Sequence, residues 1–181
     1  MPTYHDLMQK YPKPKNRLLE RINPTPVEKT IAKQFGQEFF DGDRKFGYGG
    51  FSYNPIYWSE TIQVIIEYFN LNEKSSILDV GCAKGFMLLD LKKALPEATI
   101  AGVDISEYAI KNSHESVKQY LQVANCLELP FEDSSFDLVI SINTIHNLDK
   151  AGCKKAIKEI QRVSKKDSYI VIDGWDTEDE R

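Results

Sequence analysis

Residues 77–86, ILDVGCAKGF, leave the chain few ways to fold. Ile77, Leu78 and Val80 form an apolar run, a Gly-x-x-x-Gly turn spans Gly81 to Gly85, and Phe86, Met87, Leu88, Leu89 and Leu91 follow at helical spacing. The pattern predicts a buried strand, a tight loop and a helix. Glycine at 81 and 85 lets the backbone turn sharply and come close to a ligand with no Cβ in the way. The first turn of the next helix offers unpaired N–H groups there. Open α/β sheets bind nucleotides at corners of this kind.

Asp79 narrows the choice of ligand. Where a corner binds a dinucleotide, its glycines run G-x-G-x-x-G and its N–H groups hold a pyrophosphate, which a carboxylate two residues upstream would repel. An acid at 79 suits a cation instead. The stretch resembles the first motif of class I S-adenosylmethionine-dependent methyltransferases, in which an acid and then Gly-x-Gly-x-Gly wrap the amino-acid end of a ligand carrying an ammonium and a sulfonium. Asp79, Gly81 and Gly85 match, with Cys82 inside the loop, and Ala83 stands where the family has its middle glycine. Alanine fits there if its φ is negative and is strained if φ is positive. The resemblance implies a three-layer, doubly wound, mostly parallel α/β sheet and S-adenosylmethionine as cofactor, with S-adenosylhomocysteine as product.

The rest of the chain fits that frame. With 181 residues, 41% of them hydrophobic, and a net charge of −4, the composition describes one soluble domain and argues against wholesale binding to nucleic acid. Cys82, Cys126 and Cys153 are too few for a disulfide framework or a metal site, so a reducing cytoplasm is expected. No apolar stretch is long enough for a membrane span. Cys82 and Cys126 fall in cofactor loops, yet such cysteines are more often small apolar fillers.

Two units are expected in sequence: an N-terminal arm, helix and aromatic segment over residues 1–54, and the cofactor-binding core over 55–181. Residues 1–24 mix lysines and arginines with prolines. Val27 to Phe40 carries apolar residues at 27, 31, 35 and 39 and predicts one amphipathic helix. Residues 42–58 interleave four glycines with Phe46, Tyr48, Phe51, Tyr53, Tyr57 and Trp58. This segment reads either as a lid over the cofactor, with Tyr48 a candidate catalytic residue, or as a loop whose rings bury on the core.

After the first motif, residues 99–106 predict a second strand ending in Asp104, followed by Ile105. Asp104 lies 23 residues beyond Gly81, near the spacing at which a strand-end carboxylate accepts from ribose hydroxyls. Ser106 then caps a helix expected to run to Tyr120. Strand three, near 121–124, leads into Asn125, Cys126 and Leu127, where the family usually shows an acid or amide at the adenine edge. Asn125 can still hydrogen-bond. Strand four, 136–142, is almost continuously apolar and ends at Asn143, Thr144 and His146. Asn143 is a candidate contact to the methionine portion. His146 is a candidate general base, or else a residue that caps or packs. A helix over 154–163 and a strand over 168–175 complete the pattern.

The resemblance spans Ile56 to Trp175. The closing helix and antiparallel strand pair usual in the family are not found, so the edge at 169–172 is expected to be covered by the N-terminal arm or by a second subunit in a homodimer, unless the chain is truncated. Two other readings remain at this point: a non-catalytic S-adenosylmethionine-binding module, and an NAD(P)-dependent oxidoreductase, which Asp104 fits and Asp79 does not.

Overall fold

The computed structural model describes residues 4–12 and 25–172. Five strands form one sheet in the order β3-β2-β1-β4-β5, every neighbouring pair parallel: β1 Ser76–Val80, β2 Thr99–Asp104, β3 Leu121–Val123, β4 Phe136–Ile142 and β5 Ser164–Val171. The order reverses between β1 and β4. In open α/β sheets ligands bind beside such a reversal, outside the carboxyl ends of the strands.

Helices α3 (Pro55–Phe69) and α4 (Phe86–Ala94) cover one face, and α6 (Lys150–Val163) covers the other. Side chains alternate along a strand, so Ile77, Ile100, Leu138 and Ile140 pack towards α3 and α4, while Leu78, Val80, Val103 and Val139 pack towards α6. Burial on both faces explains why β1 and β4 read as near-continuous apolar runs. By the same alternation, Asp79 and Asp104 share the face of Ile77 and Gly102.

Three elements differ from the sequence expectation. The single helix expected over 27–40 is two, α1 (Pro26–Ala32) and α2 (Gln37–Asp41), separated by Phe35 in the left-handed region at φ 49°. The Ser106 hydroxyl donates to the Phe35 carbonyl and so holds the kink from 71 residues away. The helix expected to reach Tyr120 stops early: α5 covers Glu107–Lys111. There the Asn112 amide and the Ser113 hydroxyl bond the carbonyls of Tyr108 and Ile110, and such local side-chain bonds compete with helix continuation. Strand five begins at Ser164, directly after α6. Its first residues, Ser-Lys-Lys-Asp, are polar and half exposed, which hides a sheet-edge strand from hydrophobic patterning.

The arm packs on the α3/α4 face beside Tyr169 of β5. Leu7 is 5% exposed and belongs to the core, and its N–H donates to the Tyr169 hydroxyl at 3.1 Å. Ile172 stays exposed. No helix among the described residues is long and apolar enough to cross a membrane.

Candidate active site

The loop after β1 is drawn onto the end of β2. The N–H groups of Gly81 and Cys82 both donate to the Val103 carbonyl, at 2.7 and 3.0 Å. Asp104 ties the other side, its two carboxylate oxygens accepting from the N–H groups of Ala83 and Ser106 at 2.8 Å each. Held this way, Gly81, Ala83 and Gly85 all take positive φ, at 88°, 49° and 76°. Ala83 is therefore the strained case of the two considered from sequence.

A left-handed conformation costs an L-residue roughly 1–2 kcal/mol, against about 0.4–1 kcal/mol of extra unfolded-chain entropy for glycine. Ala83→Gly is accordingly expected to stabilise the fold by about 0.5–1 kcal/mol. Urea unfolding of the two proteins checks this, and a lower midpoint for the variant would contradict it.

Two carboxylates dominate the electrostatics. Asp79 is 5% exposed, and burial, helped by the nearby charge of Asp104, pushes its pKa up to about 8. Burial raises Asp104 as well, against the lowering effect of the N–H groups it accepts from. Among the described residues neither acid has a cationic partner. The loop's own cation, Lys84, is buried and committed elsewhere: its ammonium holds both Asp41 oxygens at 2.8 and 2.7 Å and the Phe51 carbonyl at 2.9 Å. A buried and a half-buried acid without a counter-charge among the described residues favour a cationic ligand over a pyrophosphate.

Two adjoining cavities open at the carboxyl ends of the strands. The first, about 170 Å³, is bounded by Asp104, Ile105, Asn125 and Cys126, and roofed by Phe35 and Phe39 from the N-terminal helices. The second, about 610 Å³, has Asp79 in its wall together with Tyr11, Phe51, Trp58, Phe86 and Met87. Tyr48, Gly81, Ala83, Ile142 and Asn143 line both. The two cavities thus meet along one boundary, between Asp104 on one side and Asp79 on the other.

The expected site residues are mostly brought together here, with four departures, the first being Gly85, which lines neither cavity. Cys82 touches the second cavity but is only 5% exposed and packs in the α4-side core, its thiol pKa raised chiefly by burial; its side chain acts as an apolar filler. Leu127 lies outside the first cavity's lining and packs towards α6, because Asn125 Oδ1 accepts its N–H at 2.9 Å and turns the chain inward. His146 is exposed on a one-turn 3₁₀ helix, 145–147, that buries Ile145 instead; Thr144, Asn147 and Leu148 line the first cavity and His146 does not.

Sequence reading overlooked Phe35, Phe39, Tyr11 and Lys84. The first two sit in the apolar repeat, whose signal was read as packing; nothing local marks Tyr11 or Lys84.

The aromatic segment both packs on the core and reaches the site. The rings of Phe51 and Phe86 lie 5.0 Å apart, and Tyr48 stands 4.3 Å from Phe51 and 5.3 Å from Phe39. Asp41 binds the segment to the loop, accepting from Lys84, the Tyr108 hydroxyl at 2.7 Å and the Phe51 N–H at 3.0 Å.

Residues 78–172, just over half of the chain, match the methyltransferase-domain family. The chain is a member of the class I S-adenosylmethionine-dependent methyltransferases.

Among similar proteins, a sterol 4-C-methyltransferase of Caenorhabditis elegans is 36% identical over 124 residues, 64% of this chain and 36% of that protein. A ubiquinone/menaquinone biosynthesis C-methyltransferase of Citrifermentans bemidjiense is 32% identical over 116 residues, 59% of this chain and 48% of that protein. The crystal structure of a putative S-adenosyl-L-methionine-dependent methyltransferase from Methanococcus maripaludis shares the fold at a TM-score of 0.55 and 20% identity, over 62% of this chain and 54% of that one. The chain thus spans about half or less of the length of the curated relatives it matches.

Proposed function

We propose that this methyltransferase-family chain transfers the methyl group of S-adenosylmethionine to a small-molecule acceptor. The observation that carries the reading is the pair of acids, Asp79 buried and Asp104 half-buried, flanking a left-handed glycine loop with no counter-charge among the described residues. Asp104 would accept from the ribose hydroxyls, and Ile105, Asn125 and Cys126 would border the adenine beneath the rings of Phe35 and Phe39. Asp79, the backbone of Gly81 and Ala83, and Asn143 would hold the amino-acid end. Gly85, at the start of α4, keeps the loop tight rather than reaching the ligand: a Cβ there would stand 2.7 Å from Leu121.

When bound, the cofactor supplies a methyl group on a sulfonium; attack by an acceptor lone pair breaks the carbon–sulfur bond and leaves its electron pair on a neutral thioether. The protein's part is alignment and exclusion of water, together worth up to about 7–11 kcal/mol of barrier. Tyr48, on the boundary between the cavities, is placed to keep water from the reacting atoms. His146 is set aside as a base for the reason given above. A small acceptor accords with the aromatic-lined second cavity, with the net charge of −4, and with relatives named for quinone and sterol methylation.

Calorimetric titration tests the reading. S-adenosylmethionine and S-adenosylhomocysteine should both bind with micromolar affinity, and failure of both to bind a folded sample would reject it. The raised pKa of Asp79 adds a signature. Near pH 7 its carboxyl is mostly protonated, and a cationic ligand favours the ionised form, so binding should release a proton. Affinity should therefore rise with pH and level off above that pKa. Titrations at pH 7 in buffers of different ionisation enthalpy measure the proton. Asp79→Asn should release none.

A further inference from the structure

The second cavity carries information about the acceptor. It continues from the Asp79 and Asn143 end of the site, where the reacting carbon would lie, and its far wall is built from the N-terminal arm and α3. Tyr11 of the arm and Trp58 of α3 meet edge to face, ring centres 4.9 Å apart, and Tyr11 also lies 5.5 Å from the Tyr57 ring. Phe51, Phe86, Met8 and Met87 supply the rest of its apolar wall.

Charge decides what such a cavity takes. Among its described lining residues there is no lysine, arginine or histidine, and the one carboxylate is Asp79. An anionic acceptor would find no lysine, arginine or histidine among the described lining residues to pair with, and burying an unpaired charge is expensive. A cationic acceptor could use the rings, but the one carboxylate of the described lining, Asp79, is already paired with the cofactor's ammonium in the methyl-transfer reading, so a second cation would be buried unpaired. What remains is an uncharged molecule, and flat rings are best matched by flat rings in edge-to-face or offset contact.

We propose that the acceptor is a planar, uncharged ring compound, held between the Tyr11–Trp58 pair and the Phe51–Phe86 pair. The inference rests on the methyl-transfer reading above. Tyr11 is a specificity-determining residue in it, because its ring closes the far wall against Trp58 and Tyr57. The hydroxyl stays protonated and serves as a donor to the acceptor's polar atom rather than as a base.

The test holds shape constant and varies charge. The full chain is saturated with S-adenosylhomocysteine and titrated, by calorimetry or ligand-observed NMR, with naphthol, naphthoate, naphthylmethylammonium and the saturated decahydronaphthol. Naphthol should bind at least about tenfold more tightly than each of the other three. Tyr11→Ala and Trp58→Ala should each weaken naphthol by about tenfold while S-adenosylhomocysteine affinity stays within about twofold. Trp58→Phe, which keeps a ring and guards against a merely unfolded variant, should retain naphthol binding.

Equal or tighter binding of either charged ring overturns the charge argument. Equal binding of the saturated compound, or indifference to Tyr11 and Trp58, overturns the ring-pair assignment. If S-adenosylhomocysteine itself does not bind, the methyl-transfer reading falls and this inference with it. If it binds and no ring does, only the acceptor class is wrong.

Discussion

Gly81→Val is expected to abolish S-adenosylmethionine binding and to cost about 3 kcal/mol or more of stability, the sum of a left-handed conformation forced on a β-branched residue and of overpacking. Gly81 sits at φ 88°, which valine adopts only with strain. A Cβ at that position would also overlap the side chain of Thr144, whose hydroxyl bonds the Ile142 carbonyl at 3.1 Å at the end of β4. The loop has no room to yield, since its N–H is fixed to Val103 at 2.7 Å. Denaturant unfolding and calorimetry read the two effects separately. Thr144→Gly in the same chain should recover part of the stability, because it removes the overlap and leaves the φ strain. Wild-type affinity in Gly81→Val would mean that the ligand does not use this loop.

Asp104→Ala should weaken S-adenosylmethionine by about 1–3 kcal/mol, the usual cost of losing charge-assisted hydrogen bonds. It should also reduce stability by a similar amount, because the same oxygens accept the N–H groups of Ala83 and Ser106, and both donors would be left without that partner. Asp104→Asn keeps one oxygen and should fall between wild type and alanine on both measures. Parallel titration and urea unfolding of the three proteins check this. Unchanged affinity in Asp104→Ala with measurable loss of stability would leave Asp104 a loop anchor and remove it from the ribose assignment.

Both predictions turn on positions that could be read from the chain. The strand–loop–helix at 77–86, the apolar run 136–142 and the acid at 104 are local signals, because burial on both sides of a sheet and a turn without Cβ each leave a mark within ten residues. From these the doubly wound class, the ligand end of the sheet and the cofactor were all legible. The sheet is wholly parallel where a mostly parallel one was expected, and the order β3-β2-β1-β4-β5 puts the Asp79 loop beside the reversal.

Less legible were the places where distant residues decide a local conformation. The repeat at 27, 31, 35 and 39 describes one helix, and it is broken by the bond from Ser106 to the Phe35 carbonyl; the kink carries Phe35 and Phe39 over the first cavity. The aromatic segment could equally have been a mobile lid or buried packing, until Lys84 was seen joined to Asp41 and the Phe51 carbonyl. His146 had suitable chemistry and a suitable place in the chain, but a single 3₁₀ turn points its neighbour Ile145 into the core and leaves the imidazole outside.

By itself, the sequence determined which segments are strands, where the glycine loop lies and which acids stand beside it, since those depend on composition at short range. Tertiary structure alone decided that Ala83 is left-handed, that Tyr11 and Trp58 face one another, and that Asp79 is ionised only with difficulty. Each of those depends on the distance between groups far apart in the chain, which no local pattern encodes.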